Sequence, residues 1–423
     1  MASATAVSRG TSTPSGTRGG PRSRAESALR LAAPALLGYG AARALGIGLL
    51  WYVAGRRGQS AGRALYGSWD ARWYQSVVDH GYDHTVWGTP HTWHAWSNLA
   101  FFPLYPALCE IAAALTPLSV ARASWLVAMA ASVAAAWLIF LIGNRLYRRR
   151  TGVILAVLWG CLPHAVVESM AYTESLFTAL SAAALLAALS RRWIWAGAFA
   201  ALAGLTRPTG IATAAAIALA AGLAALRAGR GAGRPARHTS VPPAARAAAR
   251  TGPRVVWRPV LGAALAPTGW LAFVVWVGVR LHRADGYFAV QRAWGNRFSK
   301  GGYLPRRIRW VFLGPRGGYV PVAYVVVTLV VVVSFALFAL CLVQRQALPL
   351  LLFSGALLAV LTFGSGVYIA RARFLLPGFP LLIPFARVLA RAHPRTIAFA
   401  LGTAAVASAV YGVHLSLVWY GPP

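Results

Sequence analysis

Eleven apolar runs recur along the chain, at residues 31–53, 125–143, 152–166, 173–190, 193–206, 211–226, 259–281, 320–343, 347–365, 374–390 and 397–419. A helix needs about 20 predominantly apolar residues to cross roughly 30 Å of hydrocarbon, so these runs predict an all-α, polytopic transmembrane protein of about eleven spans. Those between 152 and 226 are short and must be untilted, partial or buried against neighbours, because a lipid-exposed backbone end would leave polar groups unsatisfied. Composition agrees: 58% of the 423 residues are apolar and only 12% are charged, against about 25% charged in a soluble domain. Residues 1–30 are rich in Ser, Thr, Gly, Pro and Arg; too polar to bury a core, they read as a disordered tail. The run 31–53 then reads as a retained anchor, not a cleaved leader, and residues 31–423 as one membrane domain.

The formal charge of +33 would suggest nucleic acid in a soluble chain. Here no basic segment is interleaved with exposed aromatics on a foldable soluble domain, so a nucleic-acid partner is not expected. Of 41 basic residues only Lys300 is lysine, and the arginines gather between apolar runs, as in cytoplasmic loops. The tail, 145–150 (RLYRRR), Arg191 and Arg192, the loop 227–258 with eight arginines and no acid, and Arg387–Arg395 all fall on the cytoplasmic side if 99–118 lies at the interface. Its FFPLYP start supports that, since Pro103 and Pro106 interrupt a regular helix and aromatic rings favour the headgroup zone. Residues 54–118 then form a long external loop with an interfacial helix, in a multi-pass protein of the cell membrane with a cytoplasmic N-terminus. The external loop 282–318 runs against the rule: it holds Arg283, Arg292, Arg297, Lys300, Arg306, Arg307, Arg309 and Arg316 against Asp285 alone. Either the count is off by one span, or these cations hold something outside, such as lipid phosphate.

Acids are scarce: Glu26, Asp70, Asp79, Asp83, Glu110, Glu168, Glu174 and Asp285 complete the set, and all but Glu26 fall on or near the external side. An ionised carboxylate near hydrocarbon costs several kcal/mol unless paired or hydrated, so it points to function by default. In SWDARWYQSVVDHGYDHTVWGTPHTWHAWSN, Asp70 is flanked by Trp69, Trp73 and Tyr74, flat faces of the kind that stack on sugar rings. Desolvation there raises a carboxylate's proton affinity, whereas Arg72 lowers it; the plainer reading is an interfacial aromatic belt with a snorkelling acid. In PHAVVESMAYTESLF, Tyr172, Thr173 and Glu174 sit at the external end of a span. Glu174 is also placed to cap a helix N-terminus.

Arg207 in GLTRPTG, with Arg371 and Arg373 in YIARARF, lies at external helix ends. Snorkelling would explain any one of them, but three in the compartment of the acids suit an anionic lipid ligand, because guanidinium forks match phosphate. His80 and His84 have i, i+4 spacing, with His91 and His94 close behind. HExxH is absent, so these are read as polar loop residues and no metal is assigned. Cys109, Cys161 and Cys341 are far apart and read as small core residues.

Taken in order, WDARWY, FFPLYP, AYTESLF, GLTRPTG and YFAVQRAWG resemble the PIG-V family, GPI mannosyltransferase II-like membrane proteins, in its bacterial branch, over about residues 65–380. The resemblance implies a GT-C-type fold whose first long external loop supplies the catalytic carboxylate, and mannose taken from a polyprenyl-phosphate carrier. It makes Asp70 the general base and Glu174 a second site carboxylate, gives Arg207 and Arg373 to the carrier phosphate, and sets Gln291 and Trp294 along the acceptor groove. The His-rich insert after Gly81 and the loop 227–258 depart from the family pattern, which bears on the acceptor more than on the chemistry.

One base and several cations suffice for single-displacement, inverting transfer from a lipid phosphate, with no cofactor and no required divalent metal. The expected partners are the polyprenyl-phosphate-sugar donor, a glycolipid or glycoprotein acceptor and membrane lipids. Another sugar on the same carrier, such as arabinose or glucose, stays open, as do a secondary transporter and a structural assembly partner.

Overall fold

The computed structural model describes residues 21–86, 96–232, 256–314 and 318–423. Residues 1–20, His91, His94 and most of the loop 227–258 lie outside them, as does Arg316. Among the described residues there is no strand, and the one β-bridge joins Phe298 to Gly364.

The first part of the chain forms α1 (Pro21–Arg56), α2 (Ala61–Tyr66), α3 (Asp70–His80), α4 (Leu104–Leu115), α5 (Val120–Leu146) and α6 (Arg149–Gly160). The middle forms α7 (Glu174–Leu189), α8 (Trp193–Gly204), α9 (Gly210–Ala232), α10 (Trp257–Leu265), α11 (Thr268–Arg280), α12 (Gly286–Ala293) and α13 (Tyr303–Leu313). The last part forms α14 (Val322–Val343), α15 (Leu348–Phe363), the single turn α16 (Arg371–Phe374), α17 (Ile383–Leu389) and α18 (Pro394–Val413).

Six stretches are long and apolar enough to cross a membrane: Arg30–Arg56, Val120–Leu146, Gly210–Ala228, Trp257–Arg280, Val322–Val343 and Pro394–Val418. They coincide with six of the eleven apolar runs. The other five runs form helices of 16 residues or fewer, and proline accounts for two of the breaks. Pro163 follows the end of α6, and Pro377, Gly378, Pro380 and Pro384 divide the expected span 374–390 into a 3₁₀ turn and α17, since proline withdraws a backbone donor and clashes with the preceding turn. The 12 residues of α4 reach about 18 Å, too short to cross alone.

Lipid rather than water explains the outer surface, where Leu37, Val275, Val279, Leu329, Val343 and Phe399 are exposed on long helices. Inside, Trp159, Phe140, Phe177, Phe353 and Phe379 fill a core shared by α5, α6, α7 and α15. Small residues let the helices approach: a Cβ on Gly143 would stand 2.7 Å from the Gly152 Cα, and one on Gly197 would stand 2.5 Å from the Gly262 carbonyl oxygen.

Charge separates the two ends of the bundle. Arg149 donates to the carbonyls of Arg30 and Leu31, Arg145 to that of Leu189, Arg150 to that of Ala392, and Arg387 to the Gln344 amide oxygen. The start of α1, the α5–α6 and α7–α8 turns and the start of α18 therefore meet at one basic end. Glu174 opens α7 at the other.

Candidate active site

A cavity of about 430 Å³ lies at the carboxylate end, lined by residues from six separated parts of the chain. Asp70 enters it as the first residue of α3, after Trp69, whose backbone takes φ +53° and ψ −126°. A bulky residue held there stores on the order of 1–3 kcal/mol of strain, so the surrounding contacts must fix it. Several do. The Tyr74 hydroxyl lies 3.1 Å from that of Thr173, the Ala171 amide donates to the Leu65 carbonyl at 2.8 Å, and the Trp125 indole donates to the Ser169 carbonyl at 2.8 Å. The first two bonds clamp the segment after α1 onto the turn that leads into α7, and the third ties α5 to the same turn. Arg43 of α1 supports that turn from below, donating to the carbonyls of Gly160 and Ala165.

Four charged side chains form one chain of ion pairs. Arg373 Nη2 lies 2.5 Å from Asp70 Oδ2 and Arg373 Nε 3.3 Å from Glu174 Oε1, while Arg207 Nη1 lies 2.9 Å from the same Glu174 oxygen. The Phe374 ring is stacked by both guanidiniums, Arg207 at 5.2 Å and Arg373 at 5.5 Å, and the Tyr172 ring lies 5.2 Å from Arg373. Glu174 is only 2% exposed and sits behind the arginines, off the cavity wall, as does Tyr172. Asp70 is on the wall. Its Oδ1 has no hydrogen-bond partner among the described residues.

Arg371 lines the cavity too, but it is anchored, donating to the carbonyls of Leu361 and Gly364 and stacking on Tyr303 at 4.9 Å. Buried donors remain unspent: Arg207 Nε, Arg371 Nε and Arg373 Nη1 have no hydrogen-bond partner among the described residues. Three guanidiniums against two carboxylates leave one net positive charge, a site suited to an anion. Burial raises the Tyr74 phenol well above its ordinary range, and the charge on Asp70 adds to this, so Tyr74 acts as a neutral hydrogen-bonding group.

One wall is aromatic. Trp96 stacks on Trp294 at 5.0 Å and Trp73 on Phe101 at 5.8 Å, while Trp73 and Phe101 meet the Trp294 edge at 5.2 and 5.4 Å. Gln291 is held by its neighbours, donating to the Tyr287 hydroxyl at 2.8 Å and accepting from the Asn296 amide at 2.9 Å. Leu357, Val360, Leu361 and Val367 give the cavity an apolar wall as well.

Most residues expected from sequence converge here: Trp69, Asp70, Trp73, Tyr74, Arg207, Gln291, Trp294, Arg371 and Arg373 all border the cavity. Arg72 does not. It is exposed and turns back to donate to the Gly67 carbonyl at 2.8 Å. The loop's other acids are also elsewhere: Asp79 lies near the end of α3, and Asp83 exchanges hydrogen bonds with Asn98. The helical spacing of His80 and His84 has no helix beneath it, because α3 ends at His80 and His84 contacts Arg280 instead. Sequence reasoning missed Trp96, Phe101, Thr209, Asn296, Ser365 and Phe374 on the wall. Trp96, in the long loop segment that starts SWDARWY, Phe101, in FFPLYP, Thr209, in GLTRPTG, and Phe374, in YIARARF, lay inside segments already singled out, whereas Asn296 and Ser365 lay outside every quoted motif.

No family model and no curated protein matches this chain. Among solved structures, it is similar to the oligosaccharyltransferase of Archaeoglobus fulgidus. The form tethered with an acceptor peptide containing the NVT sequon has 14% identity and a TM-score of 0.45, over 91% of this chain and 56% of that one. The complex with an inhibitory peptide and a dolichol-phosphate has 14% identity and a TM-score of 0.45, over 92% and 56%, and the apo form 17% and 0.43, over 83% and 52%. This chain spans a little over half the length of those it matches.

Proposed function

We propose that this chain is a membrane glycosyltransferase of GT-C type, akin to the PIG-V family, that moves mannose from a polyprenyl-phosphate carrier to an acceptor hydroxyl on the non-cytoplasmic side. The observation that carries the reading is Asp70 on the wall of a sugar-sized cavity, one oxygen held by Arg373 and the other free of described partners, beside unspent guanidinium donors.

In this reading the acceptor oxygen forms a bond to the anomeric carbon as the bond from that carbon to the phosphate oxygen breaks. The hydroxyl proton passes to Asp70 Oδ1, and the lipid phosphate departs with its electron pair. Preorganised cations at the leaving oxygen supply the electrostatic stabilisation that such a step needs, a role for Arg207, Arg371 and Arg373. Glu174 acts through two of these arginines by fixing their orientation. The site's single net positive charge matches the single negative charge of a phosphodiester. The apolar wall suits the first isoprene units, and the aromatic wall with Gln291 suits a glycan on a glycolipid or glycoprotein acceptor.

Reconstituted vesicles supplied with polyprenyl-phosphate mannose are expected to yield a mannosylated product of inverted anomeric configuration, and nucleotide-linked mannose is expected to yield none. Retention of configuration or equal use of the nucleotide donor would contradict the mechanism. Product from the glucosyl or arabinosyl carrier alone would reassign the sugar, while solute uptake without any product would favour a secondary transporter.

A further inference from the structure

The helix α13 and the turn before it are fixed beside the mouth of the cavity. The Ser299 amide donates to the Phe363 carbonyl at 2.8 Å, the Ser365 amide to the Arg297 carbonyl at 2.7 Å, and the Tyr303 hydroxyl to the Gly366 carbonyl at 2.5 Å. Gly364 and Ser365 line the cavity, so this segment shares its end of the bundle. With 11 residues α13 reaches about 16 Å and cannot cross a bilayer. Its inner side, Leu304, Ile308 and Val311, packs into the core, and Trp310 meets the Tyr324 ring of α14 at 5.3 Å.

Its outer side is basic and apolar together. Arg297, Lys300, Arg306, Arg307 and Arg309 are exposed, and none is paired with an acid among the described residues. The one acid in this stretch, Asp285, is already taken by Arg283 and Arg292, whose hydrogen bonds hold its carboxyl below the usual carboxylate range. Phe298, Phe312 and Leu313 stand among these cations with more than 70% of their surface exposed.

We propose that the outer face of α13 with the turn 297–302 is a docking surface for the headgroups of anionic phospholipid in the leaflet bordering the cavity mouth. An exposed basic and aromatic face on a short helix is the pattern that lies in the headgroup zone, with rings at the acyl boundary and cations on phosphate. A water-soluble polyanion would neutralise the arginines but leave Phe298, Phe312 and Leu313 in water. Only an interface answers both features. It also accounts for a dense basic loop at the end of the bundle where arginine is otherwise unexpected.

The test uses the purified full-length chain in neutral detergent, with phosphatidylglycerol and phosphatidylcholine offered in equal amount and retention read by native mass spectrometry. No transfer assay is involved, so the outcome stands apart from the proposed chemistry. The wild-type chain is expected to retain phosphatidylglycerol preferentially. The variant Lys300→Gln/Arg306→Gln/Arg309→Gln, whose thermal midpoint checks its folding, is expected to lose that preference by roughly 100-fold, about fivefold per charge. Should the triple variant not fold, the three single changes carry the same comparison at about fivefold each. Undiminished preference in the variants would overturn the proposal. So would displacement of the lipid by an equal concentration of glycerol 1-phosphate, which would mark a free-phosphate site, or tight retention of an acidic polysaccharide without phosphatidylglycerol, which would assign the face to a polyanionic acceptor.

Discussion

Arg373 Nη2 and Asp70 Oδ2 stand 2.5 Å apart across 303 positions of sequence. This contact fixes the orientation of the proposed base, and through its Nε the same guanidinium reaches Glu174. The cavity therefore depends on α16 and α3 being held together, and no segment of the chain contains it alone.

Replacing Arg373 with Gln strands two carboxylates, one of them buried with only Arg207 left to it. Removing one partner of a buried pair costs about 3–5 kcal/mol, because the remaining charge is uncompensated. A marked fall in thermal midpoint and the loss of transfer are expected. Arg373→Lys should recover much of the stability but little of the transfer, since an ammonium cannot reproduce the fork that spans both acids. Wild-type rates in either variant would contradict this.

Trp294 is the hub of the aromatic wall, in contact with Trp73, Trp96 and Phe101. Each such contact contributes about 0.5–1.5 kcal/mol beyond simple burial. Trp294→Ala should raise the acceptor KM on the order of tenfold while leaving the donor KM near its wild-type value, as 1.4 kcal/mol is about tenfold in affinity. Steady-state kinetics with both substrates varied separately would show this, and a change confined to the donor would reassign the wall.

The sequence made the membrane character and the charged cluster legible for a physical reason: acids are costly in an apolar chain, so Asp70 and Glu174 stood out by scarcity, while Arg207 and Arg373 stood out by lying at helix ends in the compartment of those acids. Cavity walls gave less signal. Trp96, Asn296 and Ser365 become neighbours only when three loops meet, and nothing in local periodicity records that meeting. Direction was equally hidden. Trp73 and Arg72 are adjacent in sequence, yet one turns into the cavity and the other folds back to Gly67. Length alone misread 374–390, where apolar composition continues through prolines that end the helix.

Arg72 provides a contrast between motif and geometry. It lies within WDARWY, but its exposed guanidinium meets only a backbone carbonyl. Arg72→Ala should change stability by no more than about 0.5 kcal/mol, as for an ordinary surface site, and should leave transfer within about twofold, less than the tenfold that 1.4 kcal/mol represents. A large loss of transfer, measured beside an unchanged thermal midpoint, would place Arg72 against substrate.

The most direct test is transfer from polyprenyl-phosphate mannose by Asp70→Asn in reconstituted vesicles, alongside its thermal midpoint and membrane insertion. Asparagine keeps the shape and a hydrogen-bonding oxygen but cannot take the acceptor proton, a contribution of about 10²- to 10⁴-fold for general-base catalysis. The account predicts an inserted, folded protein with transfer reduced by at least that much. Transfer at the wild-type rate from the folded variant would contradict it.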